Sequence, residues 1–447
     1  MNHPRVAVLG GGYAGMAAAV ALADAGLGVA VYEAAPELGG RARRVAHRGA
    51  VLDNGLHIGI GAYTSLLALA ARVRAIAGEA GDGWQRRPLE WHIHRGMQLR
   101  APRLPAPLHM AVALATARGL RARARWDAVR LIAALRRDRY RVLGTTGADI
   151  TVEALLAAHG QGRAIVDGLW SPLCVAALNT PVERASAQVF ANVLRDSLGA
   201  ARPASDLLLP AVDLTALFPD PAARHVEARG GSVHRGHRIA RIEPAAGGRG
   251  WRLLFAQGRA EPAGPFDAIV LAVAPRALVD LTEGWPALRT MRAQVAALAY
   301  EPITSVYLQY PASVRLRHAM TGFADGPGQW VFDRGALAGQ PGLLGVVISA
   351  STAQRAPGSD ALAHAVHRQL CDLVPGLPLP EWTKVITEKQ ATFACTPGLA
   401  RPGTLTEVPG IVLAGDHVAS DYPATLEGAV RSGQLAAAAL LARLPHG

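Results

Sequence analysis

The chain opens on an unbroken apolar run, then glycines, then small helix formers, and a shorter version of that order recurs near its end. Arg5 to Leu9 read as a buried parallel strand, because Val, Ala and Leu follow one another without polar alternation. Ala17 to Ala25 favour helix, Gly26 ends it, and Gly28 to Tyr32 predict a second strand that closes on Glu33. Strand, turn, helix and strand in that order make a βαβ unit. A glycine-punctuated segment, Val51 to Gly61, then leads into a helix expected over Ala62 to Gly78.

From about Trp84 to Leu208 the pattern predicts a mainly helical region that includes Val152 to Ala158. Within it, Leu120, Ala124, Ala128, Leu131 and Leu135 share one helical stripe flanked by Arg118, Arg121, Arg125 and Arg136. Strands and hairpins are expected from Gly230 through Val233, Arg238 to Ile242 and Trp251 to Phe255, with Gly247, Gly248 and Gly250 at a turn. Asp267 to Pro275 carry a buried strand that stops at a proline and returns the chain to the first sheet. Ile303 to Leu308 and Leu343 to Ser349 are strands of a second sheet, and Asp360 to Leu373 is a helix. Near the end, Gly410 to Ala414 form a short buried strand, and a helix opens after Pro423 and runs to about Arg443. Alternating strands and helices of this kind predict an α/β fold.

The glycines add chemistry to that outline. Gly10, Gly12 and Gly15 have the spacing that permits a tight turn, close approach of backbone to a pyrophosphate, and helix–strand packing. Glu33 stands at the strand end where a carboxylate accepts ribose hydroxyls. The turn Leu38-Gly39-Gly40-Arg41 admits further backbone approach and offers a guanidinium that can grip a phosphate. At the other end, Gly415-Asp416 close a strand, with Asp416 suited to ribityl hydroxyls or phosphate. The helix near Thr425 presents free N–H groups and the positive end of its dipole, suited to negative charge.

With these pieces in order, the chain resembles the FAD-binding amine oxidase and phytoene desaturase superfamily, whose first βαβ unit is followed by a GGR turn. The segments VLDNGLHIGIGAY at 51 to 63, EKQATFACTPGLARP at 388 to 402 and LAGDHVASDYPATLEGAVRSG at 413 to 433 narrow the resemblance to the hydroxysqualene dehydroxylase family. His417 departs from that pattern, standing where an aromatic residue is expected. The resemblance implies a Rossmann-type FAD-binding domain over 1–83, 209–290 and 386–447, interleaved with an α+β substrate domain over 84–208 and 291–385. It implies FAD contacts at Gly10, Gly12, Gly15, Glu33, Gly39, Gly40, Arg41, Gly55, Val233, Gly415, Asp416, Thr425, Leu426 and Glu427. It further implies reduction of hydroxysqualene to squalene, with hydride from reduced FAD and loss of water, in squalene and hopanoid biosynthesis.

That reaction needs an acid for the departing oxygen, and His57, Asp421 and His417 are the candidates in that order. His57 reads equally as a histidine bonded to loop backbone, and Asp421 as a cap of the last helix. Two other classes stay open: a carotenoid desaturase or amine oxidase running the flavin in the opposite direction, and a non-catalytic flavoprotein subunit of a lipid-synthesis complex. The electron donor, NAD(P)H or a reductase, is external, since no second nucleotide fingerprint is present.

Composition narrows the rest. Half of the 447 residues are hydrophobic, enough for a large core, and the 5% aromatic content argues against an aromatic cage for amines. Cys174, Cys371 and Cys395 lie far apart and read as ordinary thiols, with no metal-ligand spacing. The first strand begins almost at once, so no signal peptide is expected, and no apolar run reaches membrane-spanning length. The expected location is cytoplasmic, at the inner face of the plasma membrane if lipid is bound. The net charge of +12 concentrates between Arg118 and Arg141, where nine arginines face Asp127 and Asp138. A basic amphipathic helix over 118–141 reads equally as a face for anionic lipid and as a solvated helix packed on the core. Nucleic acid is disfavoured, because no recognition module accompanies the charge.

Overall fold

In the computed structural model, which describes residues 4–444 apart from 145–146, 249, 257–260 and 355–357, the first apolar run lies at the centre of a parallel sheet. The strand order is Ser232–Arg235, Gly28–Glu33, Arg5–Leu9, Ala268–Leu271 and Ile411–Leu413, all parallel. Val6, Ala7 and Val8 are fully buried, which explains the absence of polar alternation. The strand expected near Ala268 does return to this sheet, between the first strand and Ile411–Leu413. The α/β class read from the pattern is thus the one observed.

The helices Tyr13–Asp24 and Leu426–Leu441 pack together beside the sheet. A Cβ on Gly433 would collide with the Ala14 carbonyl oxygen, so the two backbones touch only because this position is glycine. One residue earlier, Ser432 Oγ accepts the N–H of Gly415 at 3.0 Å. The Ser-Gly pair that closes the C-terminal motif therefore fixes the last helix against both ends of the chain.

A second, seven-stranded sheet runs in the order Trp382–Phe393, Tyr300–Gln309, Leu343–Ser349, Trp330–Asp333, Met320–Phe323, Glu90–His94 and Gln98–Arg100. The two strands expected near Ile303 and Leu343 are its second and third members. The strand Trp382–Phe393 pairs with Tyr300–Gln309 along its length. The region from Trp84 differs from the helical expectation, because it opens on the strands Trp84–Arg87, Glu90–His94 and Gln98–Arg100. Trp91 and Ile93 are buried while Glu90, His92 and His94 are half-buried, a period of two too short to stand out beside the long helical patterns that follow.

The arginine-rich stretch forms a helix over Ala122–Arg137. Ala128, Leu131 and Leu135 are buried and belong to the large apolar cluster under the second sheet, with Leu120 and Ala124 packed against it. The stripe therefore faces the core, and the arginines face outward.

Asp53, 1% exposed, ties the two sheets together. Its Oδ1 accepts the Leu214 N–H at 2.8 Å, its carbonyl accepts the Tyr307 hydroxyl at 2.8 Å, and Arg334 Nη2 lies 3.5 Å from Oδ2. Burial pushes its carboxyl up to about 6 despite Arg334 and the Leu214 N–H. Raised above the unfolded value, it contributes stability that is full below about pH 4 and lost as pH rises through about 6. Asp53→Asn keeps the acceptor for Leu214 but cannot titrate. Its stability relative to wild type, measured by denaturant unfolding, should improve by on the order of 1 kcal/mol between about pH 5 and pH 7.5. A pH-independent difference would remove Asp53 as the titrating group.

Candidate functional site

Loops leaving the parallel strands converge at their carboxyl ends, and a cavity of about 670 Å³ lies there. Gly10, Glu33, Ala34, Ala272, Gly415 and Asp416 all line it, each at or within three residues of a strand end. The glycine turn forms one end. Gly10 has φ +108° and a Cβ there would collide with the Ala272 carbonyl, so this glycine serves the turn itself. Gly12 is different. Its φ of −76° suits any residue, and an added Cβ would meet nothing nearer than 3.9 Å. A side chain at Gly12 would occupy only the cavity, beside the Tyr13, Ala14 and Gly15 N–H groups that begin the helix without intrahelical partners.

Glu33 sits on this wall with both carboxylate oxygens engaged, one by Gly11 N–H at 2.7 Å and the other by Ala35 N–H at 2.8 Å. An oxygen can accept a second bond, so the carboxylate keeps capacity toward the cavity. Gly39 and Gly40 follow, with Gly39 bridged to Gly12. Arg41 donates from Nη2 to Asp416 Oδ1 at 2.5 Å and from Nη1 to the Ala391 carbonyl at 2.7 Å. Burial alone would raise the Asp416 carboxyl, but Arg41 and His417 outweigh it and hold the group far below the carboxylate range. Two residues from opposite ends of the chain, both expected on one ligand, thus form a single ion pair on the cavity wall.

His57 occupies the junction between the glycine end and an apolar end. Its Nδ1 lies 2.7 Å from the Gly55 carbonyl, an acceptor, so Nδ1 carries the proton and Nε2 is the exchangeable position. Burial lowers its pKa, the Gly55 carbonyl partly opposes this, and the Arg41 charge lowers it further. Its neighbours Leu56 and Ile58 pack against the large apolar cluster. His417, 2% exposed, also lines the cavity, with Nδ1 3.9 Å from Asp416 Oδ1 and no partner for Nε2 among the described residues. Its neighbour Val418 packs in the cluster around the parallel sheet, which places His417 on the glycine side.

Asp421 is not brought to these residues. It is exposed, its carbonyl accepts Asn192 Nδ2 at 3.1 Å, and the wall is formed instead by Tyr422 and Pro423. The cap anticipated for Asp421 is made by Thr425, whose Oγ1 accepts the Gly428 N–H at 3.0 Å. Thr425, Leu426 and Gly55 line the cavity. Glu427 lines it too, but its buried carboxylate accepts Ser65 N–H at 3.1 Å, Leu66 N–H at 2.8 Å and Arg431 Nε at 2.6 Å, and so caps the helix Thr64–Ile76. Val233 pairs with Val31 at the sheet edge, and the wall nearby is His237, Arg238 and Ile239.

Sequence reasoning missed several wall residues. Asp196 accepts the Tyr422 hydroxyl at 3.0 Å, and Glu388 accepts Asn54 Nδ2 at 3.2 Å beside Gln390. For Glu388 a signal existed, since it opens the EKQATFACTPGLARP motif. Asp196 lies in the last turn of the helix Ala187–Ser197 with nothing to mark it.

The other end of the cavity is apolar. Leu89, Trp91, Leu99, Met110, Leu114, Leu169, Trp170, Leu173 and Trp330 line it, and the Trp91 and Trp330 rings meet edge to face at 4.6 Å. Cys174 and Cys395 are buried, with burial pushing the Cys395 thiol up to about 12, so neither is a ready nucleophile.

Residues 13–441 match the family model described as flavin containing amine oxidoreductase. The chain is 31% identical over 447 residues to a hydroxysqualene dehydroxylase of Rhodopseudomonas palustris, covering 98% of each. It is 29% identical over 447 residues to one of Sinorhizobium fredii, covering 97% of each. Among solved structures it resembles putrescine oxidase bound to putrescine, with a TM-score of 0.73 at 18% identity and 99% coverage of each chain, a likeness of fold.

Proposed function

The chain belongs to the flavin containing amine oxidoreductase family and groups within it with the hydroxysqualene dehydroxylases, and from that premise we propose that it reduces hydroxysqualene to squalene. The observation that carries this reading is a single cavity joining a glycine cradle to a mostly apolar pocket. The residues present fit the dinucleotide flavin of the family: Gly12 is open to the cavity, and the helix starting at Tyr13 opens beside it with N–H groups that have no intrahelical or side-chain cap partner. In this reading Gly10, Gly12, Glu33, Gly39 and Gly40 hold the nucleotide half, and Gly15, where a Cβ would collide with the Gly10 carbonyl, packs the helix against the turn behind them. Gly55, Asp416, Thr425, Leu426 and Glu427 frame the flavin half, with Arg41 locking Asp416 in place.

Reduced FAD, when bound, supplies the hydride that replaces the hydroxyl. The hydroxyl leaves as water on receiving one proton, and an external donor, NAD(P)H or a reductase, replaces the two electrons consumed. The proton is held at His57 Nε2, the atom that the Gly55 bond leaves free. The apolar side chains at that end shield from bulk water an allylic carbon that gains positive charge as the hydroxyl departs.

The test is an anaerobic titration of the reduced holoenzyme with hydroxysqualene. Reoxidation of the flavin in proportion to squalene formed is expected. Absence of reoxidation overturns the proposal, and new double bonds formed by the oxidised enzyme would identify a desaturase instead.

A further inference from the structure

One face of the molecule combines exposed apolar side chains with unpaired positive charge. From Leu104 to Ala117 the sequence has no charged residue, and the helix Leu108–Ala115 with the turn before it leaves Leu104, Leu108 and Val112 at 37%, 54% and 36% exposure. The next helix, Ala122–Arg137, carries Trp126 at 63% exposure. Arg125 Nη1 donates to the Ala115 carbonyl at 2.7 Å, which ties the start of the second helix, with Trp126, to the end of the first. Arg118, Arg121 and Arg123 are exposed, and none has a carboxylate partner among the described residues. Single exposed apolar residues are ordinary, but a contiguous group rimmed by cations marks an interaction surface.

The inner sides of the same two helices complete the picture. They supply Met110, Leu114 and Ile132 to the wall of the cavity. We propose that this face docks on an anionic lipid bilayer, the apolar side chains entering the headgroup–acyl boundary and the arginines meeting lipid phosphates, so that the two helices stand between the bilayer and the apolar pocket. A second copy of the chain suits the face poorly, because it would set one cluster of unpaired arginines against another. No helix among the described residues is long and apolar enough to cross a membrane, so the contact is peripheral as far as these helices go. The functional consequence, delivery of an apolar substrate from the bilayer, rests on the reading given under Proposed function, but the docking does not.

The experiment sediments the flavin-loaded full chain with vesicles of phosphatidylcholine alone or mixed with phosphatidylglycerol. Binding to the mixed vesicles only is expected. It should fall roughly a hundredfold in an Arg118→Gln, Arg121→Gln, Arg123→Gln variant, since each arginine near an anionic surface contributes roughly a factor of five. Leu108→Ser with Trp126→Ser should weaken binding at any salt concentration, with flavin absorbance and melting temperature unchanged. Equal sedimentation of wild type and variants, no sedimentation, or dimerisation abolished by Trp126→Ser overturns the docking. Turnover of detergent-dispersed hydroxysqualene, measured in parallel, keeps the two proposals apart: turnover without vesicle binding defeats only the docking, and binding without turnover defeats only the substrate assignment.

Discussion

Replacing Gly12 with leucine is expected to give a folded protein that has lost its flavin. The backbone at Gly12, φ −76° and ψ −179°, is open to any L residue, and the first atom of a side chain would meet no neighbour closer than 3.9 Å. The substitution therefore costs the fold little, while the leucine fills the space through which the pyrophosphate is expected to approach the helix N-terminus. The purified variant should show a flavin-to-protein absorbance ratio below roughly a tenth of wild type, because clash with a bound group is far costlier than an open surface substitution. Its melting temperature should lie within about 3 °C of wild type stripped of flavin, the fair reference since bound ligand itself stabilises. Gly10→Ala gives the contrasting result, loss of folded protein, because there the collision is with the chain's own backbone. Retention of flavin by Gly12→Leu at the wild-type level would place the nucleotide elsewhere.

The second large effect is expected at His57. Glutamine in its place can still reach the Gly55 carbonyl but cannot carry an exchangeable proton to the substrate oxygen. Turnover should fall by about 10² to 10⁴, the usual range for a lost general acid, with flavin content unchanged. The pH profile makes the role specific. Burial and Arg41 depress the His57 pKa, so at neutral pH the imidazolium is a minority species. Wild-type turnover should therefore rise as pH falls from about 8 to about 6, and the variant should lose that slope. A slope that survives in His57→Gln would move the proton to another group, with His417 the next to substitute. Unchanged turnover would leave His57 a staple of its loop.

Much of the framework was legible in the chain. The first strand, its helix and the second strand follow from local rules: continuous apolar residues suit a strand buried on both faces, alanine favours helix, and glycine marks turns. The strand returning at Ala268 and the helix ending near Leu441 were legible on the same grounds. Short strands whose partners are distant were not. Glu90–His94 pairs in parallel with Met320–Phe323, and nothing between residues 84 and 100 announces that neighbour. The basic helix was legible as amphipathic but not in its direction. Only packing showed that Ala128, Leu131 and Leu135 face the core, while the solvent-exposed apolar residues lie on the helix before it and at Trp126.

The site divides along the same line. The sequence by itself determined the glycine cradle, since a turn and a close backbone approach are steric requirements written into short stretches, Gly10 to Gly15 and the Gly39-Gly40 pair. It also brought His57, Asp416 and Thr425 into view as members of short motifs. Only the tertiary structure decided which groups meet: Arg41 with Asp416 across 375 residues, Thr425 rather than Asp421 at the helix cap, Glu427 on the N–H groups of Ser65 and Leu66. Local conformation depends on neighbours along the chain, whereas the pairing of buried charges depends on what folding places within a few ångströms, and no periodicity encodes that distance.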